Sequence, residues 1–294
     1  MTTTPQPAGG ATLHLALPKG RMHAGIVALL ADAGIRLATT ARGYRPRISL
    51  DDVETKILKP QNIVEMLDAG TRDLGFAGAD WVAELGVDVV EVLDTGLDPV
   101  RVVAAAPVGV LESGRLPRRA LVIASEYAVL AKQWIERRGC GDRFVRSYGA
   151  TEVFPPEDAD CIIDVTATGS TLEANSLQIV EDLMFSSTRL YASRQAWSDP
   201  GKRRRIEDVT MILASVLQAR KRVMLEVNTS SATLQAVVDA LPCMRCPTVS
   251  QLAGEGLYAV KAAVPRDALP TLIPRLKSLG GTDIVISPLS QVVP

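Results

Sequence analysis

The sequence contains few aromatic residues, histidines and cysteines, and each shortage excludes a kind of protein. Aromatic residues make up 4% of the 294 positions, and the chain has 2 histidines and 4 cysteines. So few cysteines in a chain of this length cannot form a disulfide scaffold, and they suit a reducing compartment. Both histidines, His14 and His23, lie near the N-terminus. The chain therefore gives no support for a Ser-His or Cys-His nucleophile, which favours chemistry driven by positioning and charge.

Neither sign of charge is in excess, and no long apolar run is present. Lys and Arg number 32 against 33 Asp and Glu, for a formal net charge of -1, which argues against a nucleic-acid partner. The longest apolar run, 102–111, contains Pro107 and Gly109 and is far shorter than the roughly 20 residues of a membrane-spanning helix. The first ten residues have neither the basic nor the apolar segment of a secretion signal. We therefore expect a cytoplasmic protein without a membrane span.

The apolar share of 47% is enough for a sizeable core, and the length predicts two or three domains. Short apolar runs alternate with segments of helical periodicity from Leu13 onward, which is typical of an α/β fold. Predicted strands cover 13–17, 55–58, 74–77 and 87–93, and a helix is predicted from Pro60 to Gly70. A turn-rich joint at 94–99 is predicted to precede a second α/β set. That set contains strands at 100–106, 121–124 and 161–165, and a helix that carries Tyr127, Leu130, Ala131 and Trp134 on one face.

The pattern changes beyond Arg220. Strands are predicted at 222–227, 248–252, 257–264 and 283–287, with one helix after the first strand and another after the third. This βαββαβ order is that of a ferredoxin-like domain. The basic run Lys202–Arg205 precedes it, and we interpret this run as a solvated helix start rather than a polyanion site.

The segment Asp164–Leu172 is the most informative in the chain. It joins a buried-type strand to a small-residue loop and a helix. Gly169 allows the backbone to approach an anion, Thr168, Ser170 and Thr171 add hydroxyl donors, and a helix start presents free N–H groups. Asp164 stands where a carboxylate can accept hydrogen bonds from ribose hydroxyls. The alternative interpretation is an ordinary strand-to-helix turn with Thr and Ser as caps.

Cationic and acidic residues follow other predicted strands. Lys19, Gly20 and Arg21 come directly after the first strand, and Lys59 and Asp80 follow two later ones. Ligands of α/β folds settle at the carboxyl ends of strands, so these residues predict a cleft for phosphorylated substrates. Taken alone, the loop at 18–21 is better explained by two surface cations.

The pair Cys243 and Cys246 has redox or zinc spacing. No second pair of this kind is present, and the histidines lie far upstream. We therefore favour two thiols at a helix end over a metal or redox site.

Several of these segments occur in the order seen in ATP phosphoribosyltransferase, the first enzyme of histidine biosynthesis, and the chain resembles the long form of that family. The matching segments are 17–21, 59–63, 73–80 and 164–172, with 241–242, 247–250 and 281–284 resembling the family's C-terminal regulatory domain. Glu152–Asp160 is about one residue shorter than the family pattern, so we expect a loop of different shape there.

The resemblance implies a two-lobed catalytic core, similar to type II periplasmic binding proteins, followed by a ferredoxin-like (ACT-like) regulatory domain. It places lobe I at 1–96 and 178–219, lobe II at 97–177 and the regulatory domain at 220–294. It also implies the reaction of ATP with phosphoribosyl pyrophosphate, assisted by Mg2+, with Lys19, Arg21 and Asp164 as catalytic residues. The residues implied to bind substrate are Gly20, Lys59, Asp80, Trp81, Thr166, Ala167, Thr168, Gly169, Ser170, Thr171 and Leu172.

The resemblance further implies inhibition by histidine and assembly into a homo-oligomer, dimeric or hexameric. Glu226, Asn228 and Thr248, near predicted strand ends, are the candidate effector contacts. Solvent-facing polar residues explain each of them equally well. The main alternative function is a non-enzymatic two-lobe binding protein for a small anion, and an inactive relative that retains the fold is a third.

Overall fold

The computed structural model describes residues 12–38 and 43–293 and shows a mixed α/β protein. The predicted leader at 1–10 lies outside the described residues. The chain divides into two compact units, Met1–Ala28 with Ile35–Asp208, and Leu29–Gly34 with Val209–Pro294. Within 12–38 and 43–293, no helix has the length and apolar character needed to cross a membrane.

Helices occur near 60–70 and 127–134, where they were predicted, whereas those at 79–85 and 194–198 were not predicted. The helices are α1 (Arg21–Asp32), α2 (Pro60–Asp68), α3 (Ala79–Leu85), α4 (Ala128–Arg138), α5 (Ser170–Ala174), α6 (Arg194–Ser198), α7 (Pro200–Arg220), α8 (Leu234–Ala240) and α9 (Leu269–Ser278). Proline at the first position of α2 costs no hydrogen bond, because the first N–H groups of a helix have no partner within it.

The strands alternate with these helices in both units. They are β1 (Leu13–Pro18), β2 (Leu37–Ala38), β3 (Arg47–Ile48), β4 (Val53–Leu58), β5 (Leu74–Gly78), β6 (Val89–Pro107), β7 (Val122–Ser125), β8 (Arg143–Arg146), β9 (Cys161–Thr166), β10 (Leu177–Ser193), β11 (Arg222–Ser230), β12 (Thr248–Gln251), β13 (Leu257–Pro265) and β14 (Thr282–Pro288).

The first unit is built on one eight-stranded sheet in the order β4-β1-β5-β10-β6-β9-β7-β8. Strands β4, β1 and β5 are parallel to one another, and so are β9, β7 and β8. Between these two groups lie β10 and β6, two long strands that pair antiparallel with each other and with their neighbours. The described part of the sheet therefore has two parallel groups joined by a long antiparallel pair.

The predicted joint at 94–99 was wrong as a break between strands. β6 runs through it for 19 residues, from Val89 to Pro107. Its turn-forming residues instead produce irregularities within the strand, since Gly96 and Asp98 have φ of 64° and 47° and the pairing register with β10 shifts there. Pairing along β10 supplies the backbone partners that keep this segment extended.

The second unit contains a four-stranded antiparallel sheet in the order β12-β13-β11-β14, with α8 and α9 packed against it. Its chain order, β11-α8-β12-β13-α9-β14, confirms the predicted βαββαβ sequence of elements. Residues of β11 alternate between buried and partly exposed along the strand, as period-2 side chains must when one face is covered. Val223, Leu225 and Val227 form the covered face with apolar residues of both helices.

The basic run lies in the first two turns of α7. Lys202 pairs with the buried Asp73 at 2.7 Å, and Arg203 pairs with Glu207 at 2.9 Å. These pairs agree with the interpretation of the run as part of a helix start.

Candidate active site

The register of the long antiparallel strands brings the two parallel groups end to end. β5 ends at Gly78, which lies opposite Thr188 of β10. β9 ends at Thr166, opposite Arg101 of β6, and Arg101 in turn pairs with Phe185 of β10. Both groups therefore end within a few residues of each other along β10. Loops at the carboxyl ends of parallel strands form the binding crevice of open α/β sheets, so this is where a ligand is expected.

A cavity of about 240 Å³ opens at this junction. It is lined from the β1 side by Lys19 and Arg21, and from the β5 side by Asp80 and Trp81. The other residues that line it are Met22, Pro60, Gly78, Asp98, Val100, Glu126, Tyr127, Val165, Ser186, Ser187 and Thr188. The two cations from the β1 side, with Asp80 and Trp81, were predicted site residues, so the structure brings them together.

Asp80 lines the cavity and is also held by protein groups. Its carboxylate accepts a hydrogen bond from Ser186 Oγ at 2.6 Å and another from Tyr127 Oη at 2.7 Å. The Asp80 N–H also donates to Ser186 Oγ at 3.1 Å. Gly78 makes this possible, because a Cβ at that position would clash with the Asp80 carboxylate. Asp80 is therefore an anchor between α3, β10 and the start of α4.

A second set of contacts fastens α3 to α4. Glu84, one turn after Asp80, is buried and accepts from the N–H groups of Val129 and Leu130 at 2.9 to 3.0 Å. A carboxylate at these N–H groups caps the helix and complements its dipole. The Trp81 and Tyr127 rings also stack, with centroids 4.7 Å apart. Burial, and next the charge of Asp80, raise the pKa of Tyr127, so the phenol stays protonated as a donor.

A second cavity of about 450 Å³ surrounds the predicted anion loop. It is lined by Arg21, Glu152, Asp164 and most of the segment 165–172. Arg21 therefore lines both cavities. Gly169 adopts φ of 89°, a left-handed conformation that glycine accepts without strain. Its N–H donates to Thr166 Oγ1 at 3.0 Å, and the hydroxyls of Thr168 and Ser170 lie 3.0 Å apart beside it.

Asp164 is the most perturbed carboxylate at the site. Burial, and after it the charges of Glu152 and Glu126, raise its pKa to about 6. Hydrogen bonds from the Val165 N–H, at 2.7 Å to Oδ1, and from Thr151 act in the opposite direction. A carboxylate kept partly desolvated at the end of a strand is an acceptor with little competition from water.

Lys59 lies in a third hollow, of about 370 Å³, which also contains Lys19, Lys56 and Asn62. Lys19 lines this hollow and the cavity at Asp80. Gly20, between Lys19 and Arg21, has φ of 81° and forms the turn from β1 into α1. Lys59 is therefore connected to the junction through Lys19 rather than placed within it.

Sequence reasoning missed four features of this site: Glu126 with Tyr127, the run 186–188, Asp98 and Glu152. Tyr127 was assigned to the apolar face of a helix, yet it precedes α4 and its hydroxyl binds Asp80. Its position directly after β7 was the available signal, since the same strand-end rule had identified Lys19 and Asp80. The shortened segment forms a short helical turn at Thr151–Val153 that places Glu152 in the loop cavity.

The effector candidates lie on the second unit's sheet. Glu226 pairs with Lys261 Nζ at 2.6 Å and lies inside β11, not at its end as predicted. Asn228 also lies inside β11 rather than at its end, and its Nδ2 donates to Asp283 at 3.2 Å. Thr248 stands opposite Lys261 in the β12–β13 pairing, and both line a cavity of about 350 Å³.

Comparison of the chain with known proteins identifies a family that it matches. A family profile described as "ATP phosphoribosyltransferase" matches residues 59–215, and one described as "HisG, C-terminal domain" matches 219–291. An "ATP phosphoribosyltransferase" of Chlorobium phaeobacteroides is 36% identical over 277 residues, covering 92% of this chain and 94% of that protein. Another, from Solibacter usitatus, is 34% identical over 286 residues, covering 96% and 99%.

A solved structure shares the fold. It is titled "ATP phosphoribosyl transferase (HisG:HisZ) complex from Thermotoga maritima" and aligns with a TM-score of 0.61 at 24% identity. The alignment covers 69% of this chain and 97% of that one. At this identity the likeness supports the α/β fold.

Proposed function

The chain belongs to the ATP phosphoribosyltransferase family, and we propose that its two adjoining cavities hold the two substrates of that reaction. The enzyme transfers the phosphoribosyl group of phosphoribosyl pyrophosphate to N1 of the adenine of ATP and releases pyrophosphate, the first step of histidine biosynthesis. The observation that carries the assignment is Arg21, whose side chain lines both the anion-loop cavity and the cavity at Asp80.

The 5-phosphate of phosphoribosyl pyrophosphate binds the loop Thr166–Leu172. Thr168, Ser170 and Thr171 supply hydroxyls, and the first N–H groups of α5 lack partners within the helix. Asp164, at the end of β9, accepts hydrogen bonds from the ribose hydroxyls. A phosphate fixed at one end and a carboxylate on the ring together orient the anomeric carbon.

ATP occupies the cavity at Asp80, with Trp81 on its adenine side. Lys19, Arg21 and Lys59 face the phosphates of the substrates and counter their charge. Asp80 acts indirectly in this arrangement, because both its oxygens are engaged by Tyr127 and Ser186. It holds the wall of the cavity in place.

The reaction needs charge stabilisation more than proton transfer. Adenine N1 carries a lone pair, and pyrophosphate leaves with negative charge while the sugar becomes cation-like. Lys19 and Arg21 stabilise the departing charge, and Asp164 stabilises the positive sugar through its ring hydroxyls. Within 12–38 and 43–293, no three His, Cys, Asp or Glu side chains cluster as a metal site. Mg2+, when bound, would offset the charge of the leaving diphosphate, and its ligands would come chiefly from the substrate and water.

The long antiparallel pair provides a basis for a two-lobed core like that of type II periplasmic binding proteins. We assign lobe I to 1–96 and 178–219, lobe II to 97–177 and an ACT-like regulatory domain to 220–294. The lobes then join where β6 carries its irregularities, at Gly96 and Asp98. Closure about this point excludes water from the reactive sugar.

Histidine binds the cavity of the second unit as a feedback inhibitor. Arg245 and Lys261 line that cavity and suit a carboxylate, while Thr248 offers a hydroxyl. Glu226, paired with Lys261, can accept from an amino group. Asn228 lies further along the same face of β11. Thr248→Val is expected to weaken inhibition at least tenfold, whereas Thr271→Val, an exposed threonine of α9, is expected to leave inhibition unchanged.

The enzyme acts in the cytoplasm as a homo-oligomer, a dimer or a hexamer, without a separate regulatory subunit. Both family profiles match the one chain, which supports catalysis and regulation in one polypeptide. Light scattering of the purified protein with and without histidine measures the assembly, and a monomer in both conditions would contradict it.

One assay tests the function and its regulation together. Purified protein is mixed with ATP, phosphoribosyl pyrophosphate and Mg2+, with pyrophosphatase to remove product, and the adenine absorbance change is followed with and without histidine. Turnover is expected, with suppression by histidine. Thr171→Val is expected to weaken phosphoribosyl pyrophosphate binding while the fold is retained. Folded protein without turnover would support an anion-binding protein instead.

A further inference from the structure

Cys243 and Cys246 lie in a segment that belongs to neither a helix nor a strand. It connects α8 to β12, contains Pro242 and Pro247, and bends at Met244 and Arg245. A disulfide requires the two Cα atoms to lie within about 7 Å. Two cysteines separated by two residues and by a bend are the local arrangement from which such a bond can form.

The environments of the two thiols differ. Cys243 is half-buried, packs against the apolar core of the second unit, and its Sγ donates to the Arg245 carbonyl at 2.5 Å. Its sulfur thus lies over the bend that leads to Cys246. Cys246 is exposed, and both residues line the same cavity. An accessible thiol with a second thiol held behind it is the arrangement of an attacking and a resolving cysteine.

The cavity around them favours an anionic reactant over a metal ion. Arg245 and Lys261 line it, the latter paired with Glu226, and its described lining contains no His, Asp or Glu. Because Glu226 offsets the charge of Lys261, Arg245 is the cation of this lining that attracts a negatively charged molecule.

We propose that Cys243 and Cys246 form a dithiol that a small anionic disulfide, of which oxidised glutathione is the chemical type, converts reversibly to an intramolecular disulfide. The Cys246 thiolate attacks one glutathione sulfur, forms a mixed disulfide and releases one glutathione thiolate. Cys243 loses its proton to solvent and attacks the Cys246 sulfur, which releases the second. The protein pair gives two electrons to the reactant, and the two protons end on the two glutathione molecules.

The disulfide also affects the neighbouring cavity. Thr248, the first residue of β12, follows Cys246 by two positions. The disulfide therefore stiffens the segment that positions this threonine. The effect on inhibition rests on the proposed histidine site, whereas disulfide formation does not. The two are therefore measured separately.

Trypsin provides a direct readout, because Arg245 lies between the cysteines. After alkylation of free thiols, the reduced chain yields separate peptides 223–245 and 246–261. The oxidised chain is expected to yield both peptides joined, with the mass of the pair less two hydrogens. Full-length protein is equilibrated in buffers of graded glutathione to oxidised-glutathione ratio before digestion. Cys161 serves as the internal control, because burial raises its pKa to about 12 and keeps it unreactive.

Serine variants separate the two roles. Cys243→Ser is expected to accumulate a stable glutathione adduct on Cys246, whereas Cys246→Ser is expected to remain unmodified at Cys243. Two outcomes overturn the proposal. One is that both peptides are found separate and alkylated at every glutathione ratio. The other is that added Cd2+ protects both thiols from alkylation while oxidation yields no joined peptides, which indicates a metal site. Histidine inhibition of oxidised and reduced enzyme is then compared. Equal inhibition with joined peptides present would refute only the link to the effector site.

Discussion

Replacement of Asp164 by asparagine is expected to stabilise the protein and impair its catalysis. Burial raises the pKa of this carboxyl from 3.8 to about 6, so the folded state holds the charged form unfavourably. A shift of this size corresponds to about 3 kcal/mol at neutral pH. Asparagine retains the acceptor for the Val165 N–H but not the one for Thr151. We therefore expect a gain of about 1 to 3 kcal/mol in the free energy of unfolding.

The pH dependence follows from the direction of the shift. Below pH 3.8 the carboxyl is protonated in both states and imposes no penalty. As pH rises through about 6, the folded protein must ionise this buried carboxyl. The free energy of unfolding therefore falls, and the stability present at low pH is lost. The advantage of Asp164→Asn is expected to grow by about 1 kcal/mol between about pH 5 and about pH 7.5.

Urea unfolding followed by tryptophan fluorescence measures this difference. All three tryptophans, Trp81, Trp134 and Trp197, belong to the first unit, which also contains Asp164. Glu152→Gln is the matched control, because it removes a charge that raises the pKa of Asp164. In this variant the loss of stability with rising pH is expected to occur at lower pH than in the wild type. The kcat/KM of Asp164→Asn for phosphoribosyl pyrophosphate is expected to fall about 10- to 100-fold, as for the loss of a hydrogen bond to a charged group. The reasoning would be refuted if the free energies of unfolding of the wild type and Asp164→Asn varied with pH in parallel, or if the turnover of Asp164→Asn were unchanged.

Three further substitutions test the cavity walls. Tyr127→Phe removes a donor to the buried Asp80 carboxylate and is expected to lower the free energy of unfolding by about 1 to 3 kcal/mol in urea, while the exposed Tyr148→Phe should have no effect. Glu84→Gln weakens the cap of α4, with an expected loss of about 0.5 to 2 kcal/mol in the same assay, and an unchanged midpoint would argue against capping. Gly169 has a φ of 89°, so Gly169→Ala is expected to lower the free energy of unfolding by about 1 kcal/mol. The affinity of this variant for phosphoribosyl pyrophosphate, measured by calorimetry, is expected to fall at least tenfold. An affinity equal to that of the wild type would contradict the role of the loop.

Local pattern predicted most elements because each depends on neighbours in sequence. Proline at the start of α2 and apolar spacing along β11 act over a few residues, so both could be identified without the fold. The joint at 94–99 could not, since Gly96 and Asp98 are turn formers in isolation. They remain within β6 only because β10, some 90 positions later, supplies the pairing partner.

The sequence by itself determined much of the strand–helix order, though not β8 or β10, together with the glycine-containing loop at 164–172 and the cationic turn at 19–21, because strand ends and glycine positions encode these locally. Tertiary structure alone decided how they combine. The register of β10 brings Ser186 to Asp80 across 106 positions, and the loop after β7 brings Tyr127 to it across 47. Hydrogen bonds over such separations leave no local periodicity in the chain. They engage both oxygens of Asp80, which its position after a strand could not indicate.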